Sequence, residues 1–404
     1  MIRILLLVLV LSGCVRAPLH DPKDAFHFGS TPEKIIDSYS PQSLRDAIDR
    51  TLRARFPESF EFSGRKVSGK DYRRSLEALK AVGDRELEKF LRDNFDFYEV
   101  YGNERFGQVL STGYYVPEVE GRKTAEGPFT RALYRTPQDL VTIDLRAFLE
   151  KYPELESLQR ALKEKKIRST AWVGRLQNRK VSPYYQRQEI DSQKNLKGQQ
   201  LELCYLRPVD AFFLEIQGSG VVRFANGEKL KVGFAAQNGY PYQPIGKYLL
   251  DVIPKDKMSM QKIREHLASL SETQRQEILN KNPSYVFFQE LKGEALTFSG
   301  AEATAGRTIA TDKVFFPKGL LGYLEIEEPV FTGEDAQEPS SWESRPRLVL
   351  DQDTGGAIQG GGRIDLFYGT GEDAGRRAGV MKKTGRLWYL VPKDSFLNQL
   401  IGKR

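Results

Sequence analysis

Histidine and cysteine are scarce in this sequence of 404 residues. The three histidines are His20, His27 and His266, and the two cysteines are Cys14 and Cys204. They do not have the spacing of a His/Cys metal site, and nothing in the sequence supports a Ser-His-Asp triad. We therefore expect no metal and no cofactor, and we expect carboxylates to be the acids and bases of any catalysis.

A hydrophobic run long enough to cross a bilayer is also missing. Residues 1–14 read MIRILLLVLVLSGC, in which Arg3 precedes a short apolar run that ends in small residues. This pattern is typical of an export signal rather than of a transmembrane helix. Leu11-Ser12-Gly13-Cys14 resembles the lipobox of bacterial lipoproteins, which implies that Cys14 is lipidated and begins the mature chain. The alternative is an ordinary signal peptide that happens to end in cysteine.

The residues after Cys14 indicate where a lipidated chain would reside. Val15 is not the aspartate associated with inner-membrane retention in enteric bacteria. The lipobox therefore implies a lipoprotein on the periplasmic face of the outer membrane of a Gram-negative bacterium. Residues 15–40 are polar and contain proline, and we interpret them as a tether between anchor and fold. After lipidation only Cys204 remains as a free thiol, so no intramolecular disulfide is expected.

Blocks of like charge are absent as well. The net charge of +7 is spread along the chain, which is 40% hydrophobic and 28% charged, as in soluble globular proteins of two or three domains. No nucleic-acid partner is therefore expected. A diffuse positive charge is consistent either with a solvated surface or with attraction to an anionic polymer or membrane.

Hydrophobic periodicity predicts helices near the start of the chain and strands in much of the rest. Apolar residues recur at helical spacing in residues 40–56 and 72–97. Residues 327–345 are predicted to be an exposed loop. Strand-like runs in the middle of the chain predict an all-β block, and three of them are Ala211–Ile216, Gly220–Phe224 and Leu230–Phe234. Asn226-Gly227 predicts a hairpin between the last two.

The most informative stretch is residues 347–371, RLVLDQDTGGAIQGGGRIDLFYGTG. It predicts two strands joined by a glycine-rich connection, with Asp351 and Asp353 on one face of the first strand and Asp365 within the second. Aspartate is rare inside strands and costly to bury, so we expect these carboxylates to cluster for chemistry. Alternatively, Asp353 and Thr354 form a turn and Asp365 faces solvent.

Three chemistries fit an aspartate cluster of this kind. Asp353-Thr354-Gly355 is the local pattern of aspartic proteases, but it occurs once, so a homodimer would have to supply the second copy. A calcium loop is rejected because glycine occupies its fifth and twelfth positions. The third chemistry is acid catalysis on a glycosidic bond, for which Tyr114-Tyr115 offers either a sugar-stacking platform or a plain strand end.

Several motifs follow one another between Phe97 and Pro392. They are Thr112-Gly113-Tyr114-Tyr115-Val116-Pro117, Asp210-Ala211-Phe212-Phe213, Gln217-Gly218-Ser219-Gly220, Asn238-Gly239, Ile245-Gly246-Lys247, Asn282-Pro283-Ser284-Tyr285-Val286-Phe287-Phe288, Arg307-Thr308-Ile309-Ala310-Thr311-Asp312 and residues 347–371. In this order they resemble the motifs of the membrane-bound lytic murein transglycosylase A family. Residues 300–306 lack the proline and leucine common in the family, and three glycines precede Arg363. These departures imply different loop lengths and subsite preferences.

The resemblance implies a mainly β fold with peripheral helices. Residues 41–117 and 291–404 would form a catalytic double-psi β-barrel of the three-aspartate type, and residues 118–290 an inserted, smaller β-rich substrate-binding domain with a glycan groove between the two. The implied catalytic acid is Asp365, supported by Asp353 and Asp312. The residues implied to lie near the glycan are Thr112, Tyr114, Tyr115, Gln217, Gly218 and Ser219.

The implied reaction is cleavage of the β-1,4 bond between N-acetylmuramic acid and N-acetylglucosamine in peptidoglycan glycan strands. Asp365 would protonate the glycosidic oxygen and then take the proton of the muramoyl 6-hydroxyl, which closes a 1,6-anhydro ring. No water is activated, so the second carboxylate of ordinary glycosidases is dispensable. Other cell-wall enzymes are candidate partners. The alternatives are a lipid-anchored glycan-binding protein without turnover and a dimeric aspartic protease that uses Asp353-Thr354-Gly355.

Overall fold

A computed structural model of the chain describes residues 21–102, 107–158, 160, 171–293, 296–333, 336–356 and 358–402. The predicted signal segment, Cys14 and residues 15–20 of the predicted tether lie outside the described residues. Within the part of the chain that is described, no helix has the length and apolar character needed to cross a membrane.

The described chain is built mainly from strands, with helices distributed along it. The helices are α1 Pro41–Arg53, α2 Gly69–Lys80, α3 Leu87–Asn94, α4 Leu145–Lys151, α5 Arg187–Asp191, α6 Pro208–Gln217, α7 Met260–Ser269, α8 Glu272–Leu279, α9 Glu372–Val380 and α10 Asp394–Gly402. The strands are β1 Phe26–Phe28, β2 Ser59–Phe62, β3 Arg65–Ser68, β4 Phe95–Val100, β5 Val109–Val116, β6 Glu118–Gly121, β7 Arg131–Tyr134, β8 Leu140–Asp144, β9 Ala171–Gln177, β10 Lys180–Pro183, β11 Glu202–Leu206, β12 Ser219–Phe224, β13 Lys229–Gln237, β14 Val286–Glu290, β15 Thr308–Ala310, β16 Leu320–Glu325, β17 Glu327–Val330, β18 Ser341–Ser344, β19 Arg347–Asp353, β20 Arg363–Thr370 and β21 Lys382–Pro392.

A closed six-stranded barrel is the centre of the fold. One sheet has the strand order β1-β4-β21-β16-β19-β15-β20-β5, and β5 pairs again with the first half of β21, which closes the barrel. The largest cluster of buried apolar side chains lies within and around this sheet, where α1 and α2 pack against it. The predicted mainly β fold with peripheral helices and a barrel is thus confirmed.

Part of the predicted tether is folded onto the barrel. β1 pairs with β4 in antiparallel register, and the side chain of Asp37 forms an ion pair of 2.6 Å with the fully buried Arg307 at the start of β15. The backbone of Ser38 donates to the carbonyl of Pro346 just before β19. Residues 26–28 are therefore held against β4, and residues 37 and 38 against the segments that lead into β15 and β19.

The residues between β5 and β15 form a second set of sheets. Four strands pair in the order β14-β13-β12-β6, and smaller sheets pair β11 with β7 and order β10-β9-β8. The predicted hairpin at Asn226-Gly227 is confirmed, since β12 and β13 are antiparallel and Gly227 has a φ of +84°.

The predicted strand Ala211–Ile216 is wrong, because these residues lie in α6. Pro208 begins the helix, and Gly218 ends it with a left-handed φ of +76°. Helical periodicity is hidden because the five residues 211–215 are all buried. A helix that is apolar on every side reads as a short apolar strand.

Two other predictions are corrected by the structure. Residues 72–97 are divided between the end of α2, the helix α3 and the start of β4, because Gly83 interrupts the helical pattern and β-type residues begin at Phe95. Residues 327–345 are not a plain loop but contain the antiparallel pair β17 and β18. The two strands combine polar and apolar residues without regular alternation, so the sequence gives little sign of strand structure.

Candidate active site

Asp353 and Asp365 lie on either side of β15 at one end of the barrel. Ala310 is in register with Asp365 on the neighbouring β20 and with Asp353 on the neighbouring β19. The glycine-rich connection leaves β19 after Asp353 and returns to β20 at Arg363. The two aspartates that the sequence placed 12 residues apart are thus brought together by strand pairing.

The carboxylate of Asp365 has two polar neighbours. Thr112, which is opposite it on the parallel strand β5, donates its hydroxyl to Oδ1. The Nε atom of Arg363 lies 3.4 Å from the same oxygen, and the Nη2 atom of Arg363 donates to the Thr112 hydroxyl over 3.3 Å. The side chain of Asp365 is 18% exposed, so a substrate can reach it. The arrangement orients a carboxyl group that remains open to solvent.

Asp353 is held more tightly than Asp365. Its Oδ1 accepts the backbone N–H groups of Phe298 at 3.0 Å and Thr354 at 2.9 Å, and its Oδ2 accepts the hydroxyl of Tyr114 at 3.1 Å. Burial raises the pKa of Asp353 above its ordinary value, while these hydrogen bonds act in the opposite direction. The contacts with Tyr114 and Phe298 tie Asp353 to β5 and to the loop before β15.

Asp351 does not join the open cluster. Its side chain is fully buried, forms an ion pair of 2.8 Å with Lys318 and accepts hydroxyls from Thr311 at 2.6 Å and Tyr389 at 2.5 Å. With its oxygens occupied by buried partners, this carboxylate stabilises the barrel and is closed to a substrate.

Asp312 stabilises the glycine-rich connection through its side chain. Its Oδ2 accepts the backbone N–H of Gly360 at 2.7 Å, and its Oδ1 accepts that of Val314 at 3.0 Å. Asp312 is 5% exposed, so it acts on the loop between the two strands rather than on the solvent-exposed face.

The adjacent tyrosines point to different surroundings. Tyr114 packs on Phe367 with 5.1 Å between ring centroids and donates to Asp353, and burial raises its pKa well above the ordinary value. Tyr115 is buried against α9, where a Cβ atom on Gly375 would come within 2.6 Å of the tyrosine ring. Tyr114 therefore belongs to the aspartate cluster, whereas the ring of Tyr115 packs β5 against α9.

The predicted residues 217–219 lie beside β5 at the end of α6. Gln217 accepts the backbone N–H of Tyr115 at 3.1 Å through its side-chain oxygen, and Gly218 turns the chain into β12. Ser219 begins that strand opposite Gly233. The bond from Tyr115 to Gln217 connects the barrel to the end of α6. A second connection is the hydrogen bond of 3.2 Å that the side-chain amide of Gln261 on α7 donates to the carbonyl of Arg376 on α9.

Sequence reasoning missed three residues around the aspartates, namely Arg363, Lys318 and Phe298. Arg363 was within reach, because residues two apart on a strand share a face, and Arg363 and Asp365 have that spacing. Lys318 and Phe298 lie 33 and 55 residues from their aspartate partners, and no local pattern links them.

The arrangement suits chemistry by one carboxyl group. Asp365 is open and oriented, whereas Asp353 and Asp351 are engaged with their own donors. In the described ranges, no group of three or more histidine, cysteine, aspartate or glutamate side chains is placed to hold a metal ion. An oriented, accessible carboxyl group can give a proton to a leaving group and later accept one.

Comparisons with known proteins agree with this geometry. Family models of the MltA specific insert domain and of the 3D domain match residues 110–289 and 307–391. The chain is 30% identical over 325 residues to membrane-bound lytic murein transglycosylase A of Escherichia coli strain K12, covering 79% of this chain and 75% of the relative.

Solved structures give the same picture. A membrane-bound lytic murein transglycosylase from Agrobacterium tumefaciens matches with a TM-score of 0.71 and 26% identity, covering 93% of this chain and 99% of that chain. E. coli MltA with bound chitohexaose matches with a TM-score of 0.66 and 25% identity, over 91% of this chain and 94% of that chain.

Proposed function

This chain belongs to the membrane-bound lytic murein transglycosylase A family, and we propose that it cleaves the β-1,4 bond between N-acetylmuramic acid and N-acetylglucosamine in peptidoglycan without water. The observation that carries the proposal is Asp365, an accessible carboxyl group oriented by Thr112 and Arg363 at the end of the barrel. The family relationship supports glycan strands as the substrate. The E. coli structure with chitohexaose is of a relative that binds a chain of linked N-acetylglucosamine units.

The reaction can be written with Asp365 in two successive roles. Protonated Asp365 gives its proton to the glycosidic oxygen as the bond from that oxygen to the muramoyl C1 breaks, and positive charge develops on the sugar. The Asp365 carboxylate then takes the proton of the C6 hydroxyl while the C6 oxygen bonds to C1. The products are a free N-acetylglucosamine 4-hydroxyl and a 1,6-anhydromuramoyl end, and the acid is restored.

The neighbours of Asp365 have distinct proposed roles in this cycle. The Thr112 hydroxyl fixes the direction of the carboxyl group, and the nearby guanidinium of Arg363 stabilises the carboxylate formed after the first proton transfer. Asp353 holds Tyr114 in the site, and Asp312 fixes the glycine-rich connection. Tyr115 and residues 217–219 are proposed to shape the glycan groove where the strands of residues 118–290 meet the barrel formed by residues 41–117 and 291–404.

We also propose that Cys14 is lipidated and anchors the enzyme at the periplasmic face of the outer membrane. Support comes from the lipobox-like residues 11–14 and from relatives that are named membrane-bound. Other cell-wall enzymes remain proposed partners. Metabolic labelling with a radioactive fatty acid should mark the chain and fail to mark Cys14→Ser; label in the serine variant would contradict the proposal.

The test of the reaction is mass spectrometry of the products released from purified murein sacculi. The chain should release muropeptides that end in 1,6-anhydromuramic acid, and Asp365→Asn should release almost none. Asp256→Asn, which removes an exposed carboxylate elsewhere, is the matched control and should resemble the parent. Reducing-end products would indicate hydrolysis instead, and binding without any cleavage would indicate a glycan-binding protein.

A further inference from the structure

We propose that Phe298 forms a sugar-stacking platform, which extends the glycan site beyond the aspartate cluster. The proposal rests on the proposed function and adds a subsite to it. Its ligand is the apolar face of a pyranose ring in the same strand that Asp365 cleaves. None of the sequence motifs indicated the position of this ring.

Phe298 is tied directly to the candidate active site. Its backbone N–H donates to Oδ1 of Asp353 over 3.0 Å, and the other oxygen of Asp353 accepts the hydroxyl of Tyr114. Tyr114 and Thr112 are two residues apart on the same face of β5, about 7 Å along the strand, and Thr112 donates to Asp365. One carboxylate and the face of one strand therefore separate Phe298 from the proposed acid.

The loop that carries Phe298 is held in place by the buried residues on either side of it. Thr297 and Ser299 are buried, the N–H of Thr297 donates to Ala301 over 2.8 Å, and the N–H of Ser299 donates to Gln352 on β19 over 3.0 Å. Alternation along this loop turns the intervening side chains outward. A rigid backbone of this kind can present a ring to a ligand at little cost in conformational entropy.

The outward side chains of this loop are unusually apolar. Leu296 is 65% exposed and Phe298 is 57% exposed, and Val314, next to Lys313, is 47% exposed. Single exposed apolar residues need no explanation, but Leu296 and Phe298 lie on the loop whose backbone donates to Asp353, and they indicate a binding surface beside that carboxylate. The ammonium group of Lys313 lies 4.8 Å from the centroid of the Phe298 ring, as expected for the electron-rich face of an aromatic ring.

A sugar ring is the ligand that fits this surface. The C–H groups on one face of a pyranose carry slight positive charge and are apolar, so they pack on the negative face of an aromatic ring. The loop that presents this surface meets the aspartate cluster at Asp353, through the N–H of Phe298. A glycan strand bound with its scissile bond at Asp365 would place another of its sugars over Phe298.

The test uses the full chain with Asp365→Asn, so that the ligand is bound and not cleaved, and chitohexaose as the probe in isothermal titration calorimetry. Phe298→Ala should raise the Kd about tenfold, the scale expected for loss of one stacking contact. Phe298→Trp should keep the Kd within about twofold, because the larger ring can still stack. Phe28→Ala is the control, since Phe28 is 59% exposed and lies on β1, which pairs with β4 and is not one of the six strands that close the barrel.

With Asp365 intact, Phe298→Ala should raise the KM for sacculi and leave kcat nearly unchanged. An unchanged Kd in Phe298→Ala, or an equal loss in Phe298→Trp, would overturn the platform while the proposed reaction stands. A parent chain that binds no chitohexaose and releases no 1,6-anhydro product would overturn both proposals together.

Discussion

The interior of the barrel and its open end use the same side chain in opposite ways. In the interior, Asp351 is fully buried and saturated by Lys318, Thr311 and Tyr389. At the open end, Asp365 is reachable from solvent and shares its Oδ1 with Thr112 and Arg363. The accessibility of a carboxylate, rather than its presence in the motif, therefore separates a structural aspartate from a candidate catalyst.

The largest effect is expected from removing the acid at the open end. Asp365→Asn should lower kcat on sacculi at least about 1,000-fold, within the range for a general acid–base catalyst. Because the side chain is partly exposed, the midpoint of thermal unfolding should hardly change. Product release followed by chromatography, with calorimetry on the same sample, checks both. Near-normal turnover in the folded variant would remove Asp365 from its proposed role.

The opposite pattern is expected for the barrel interior. Lys318→Met leaves the buried charge of Asp351 without its ionic partner and should lower the free energy of unfolding by about 3–5 kcal/mol. The control Lys89→Met removes a lysine that is 81% exposed and should cost little. Urea unfolding measures both variants. If Lys318→Met were as stable as the parent, the interior pair would not be a structural device.

A smaller effect is expected when the orientation of Asp365 is disturbed. Thr112→Val keeps the shape of the side chain but removes the hydroxyl, and kcat should fall about tenfold because the carboxyl group loses a positioning hydrogen bond. The KM for sacculi should change little. Thr142→Val, on the exposed strand position of β8, provides the matched control. Parental kcat in Thr112→Val would show that the contact does not serve the reaction.

The smallest effect is expected for Asp353, whose surroundings are intermediate between the closed ones of Asp351 and the open ones of Asp365. Burial raises its pKa in the folded chain, so above the ordinary aspartate value the folded state binds more protons than the unfolded state. Its contribution to stability is therefore present at low pH and lost as pH rises through the raised pKa. Between about pH 4 and the pKa of Asp353 in the folded chain, the free energy of unfolding of the parent should fall relative to that of Asp353→Asn. Parallel pH profiles of the unfolding free energy would contradict this.

The same contrast explains how far the sequence could predict the site. Alternation in residues 347–371 was enough to put Asp353 and Asp365 on strands, and the family resemblance supplied the barrel. Alternation alone could not separate Asp351 from Asp353, because it assigns both to the same face of the predicted strand. Their difference comes from Lys318 and Phe298, which reach the strand through tertiary contacts.

Helix α6 shows the corresponding limit for secondary structure. Its residues 211–215 lie between two clusters of buried side chains, with Ala211 and Leu214 in one and Phe212 and Phe213 in the other. A helix packed on both sides needs no polar face, so its sequence carries no helical period. The Pro208 start and the Gly218 end were the local signals that identify it.

The folding of β1 onto β4 limits how far the enzyme can work from its proposed anchor. β1 pairs with β4 from Phe26 onward, the carbonyl of Ala25 accepts the N–H of Tyr101, and the hydroxyl of Ser63 donates to the carbonyl of Phe26 over 2.7 Å. Only six residues lie between Cys14 and Asp21, and even a fully extended chain spans at most about 25 Å between these two positions. The proposed lipoprotein would therefore reach only the layer of cell wall next to its membrane. Lengthening the segment between Cys14 and Asp21 should widen the layer of glycan that the enzyme cleaves.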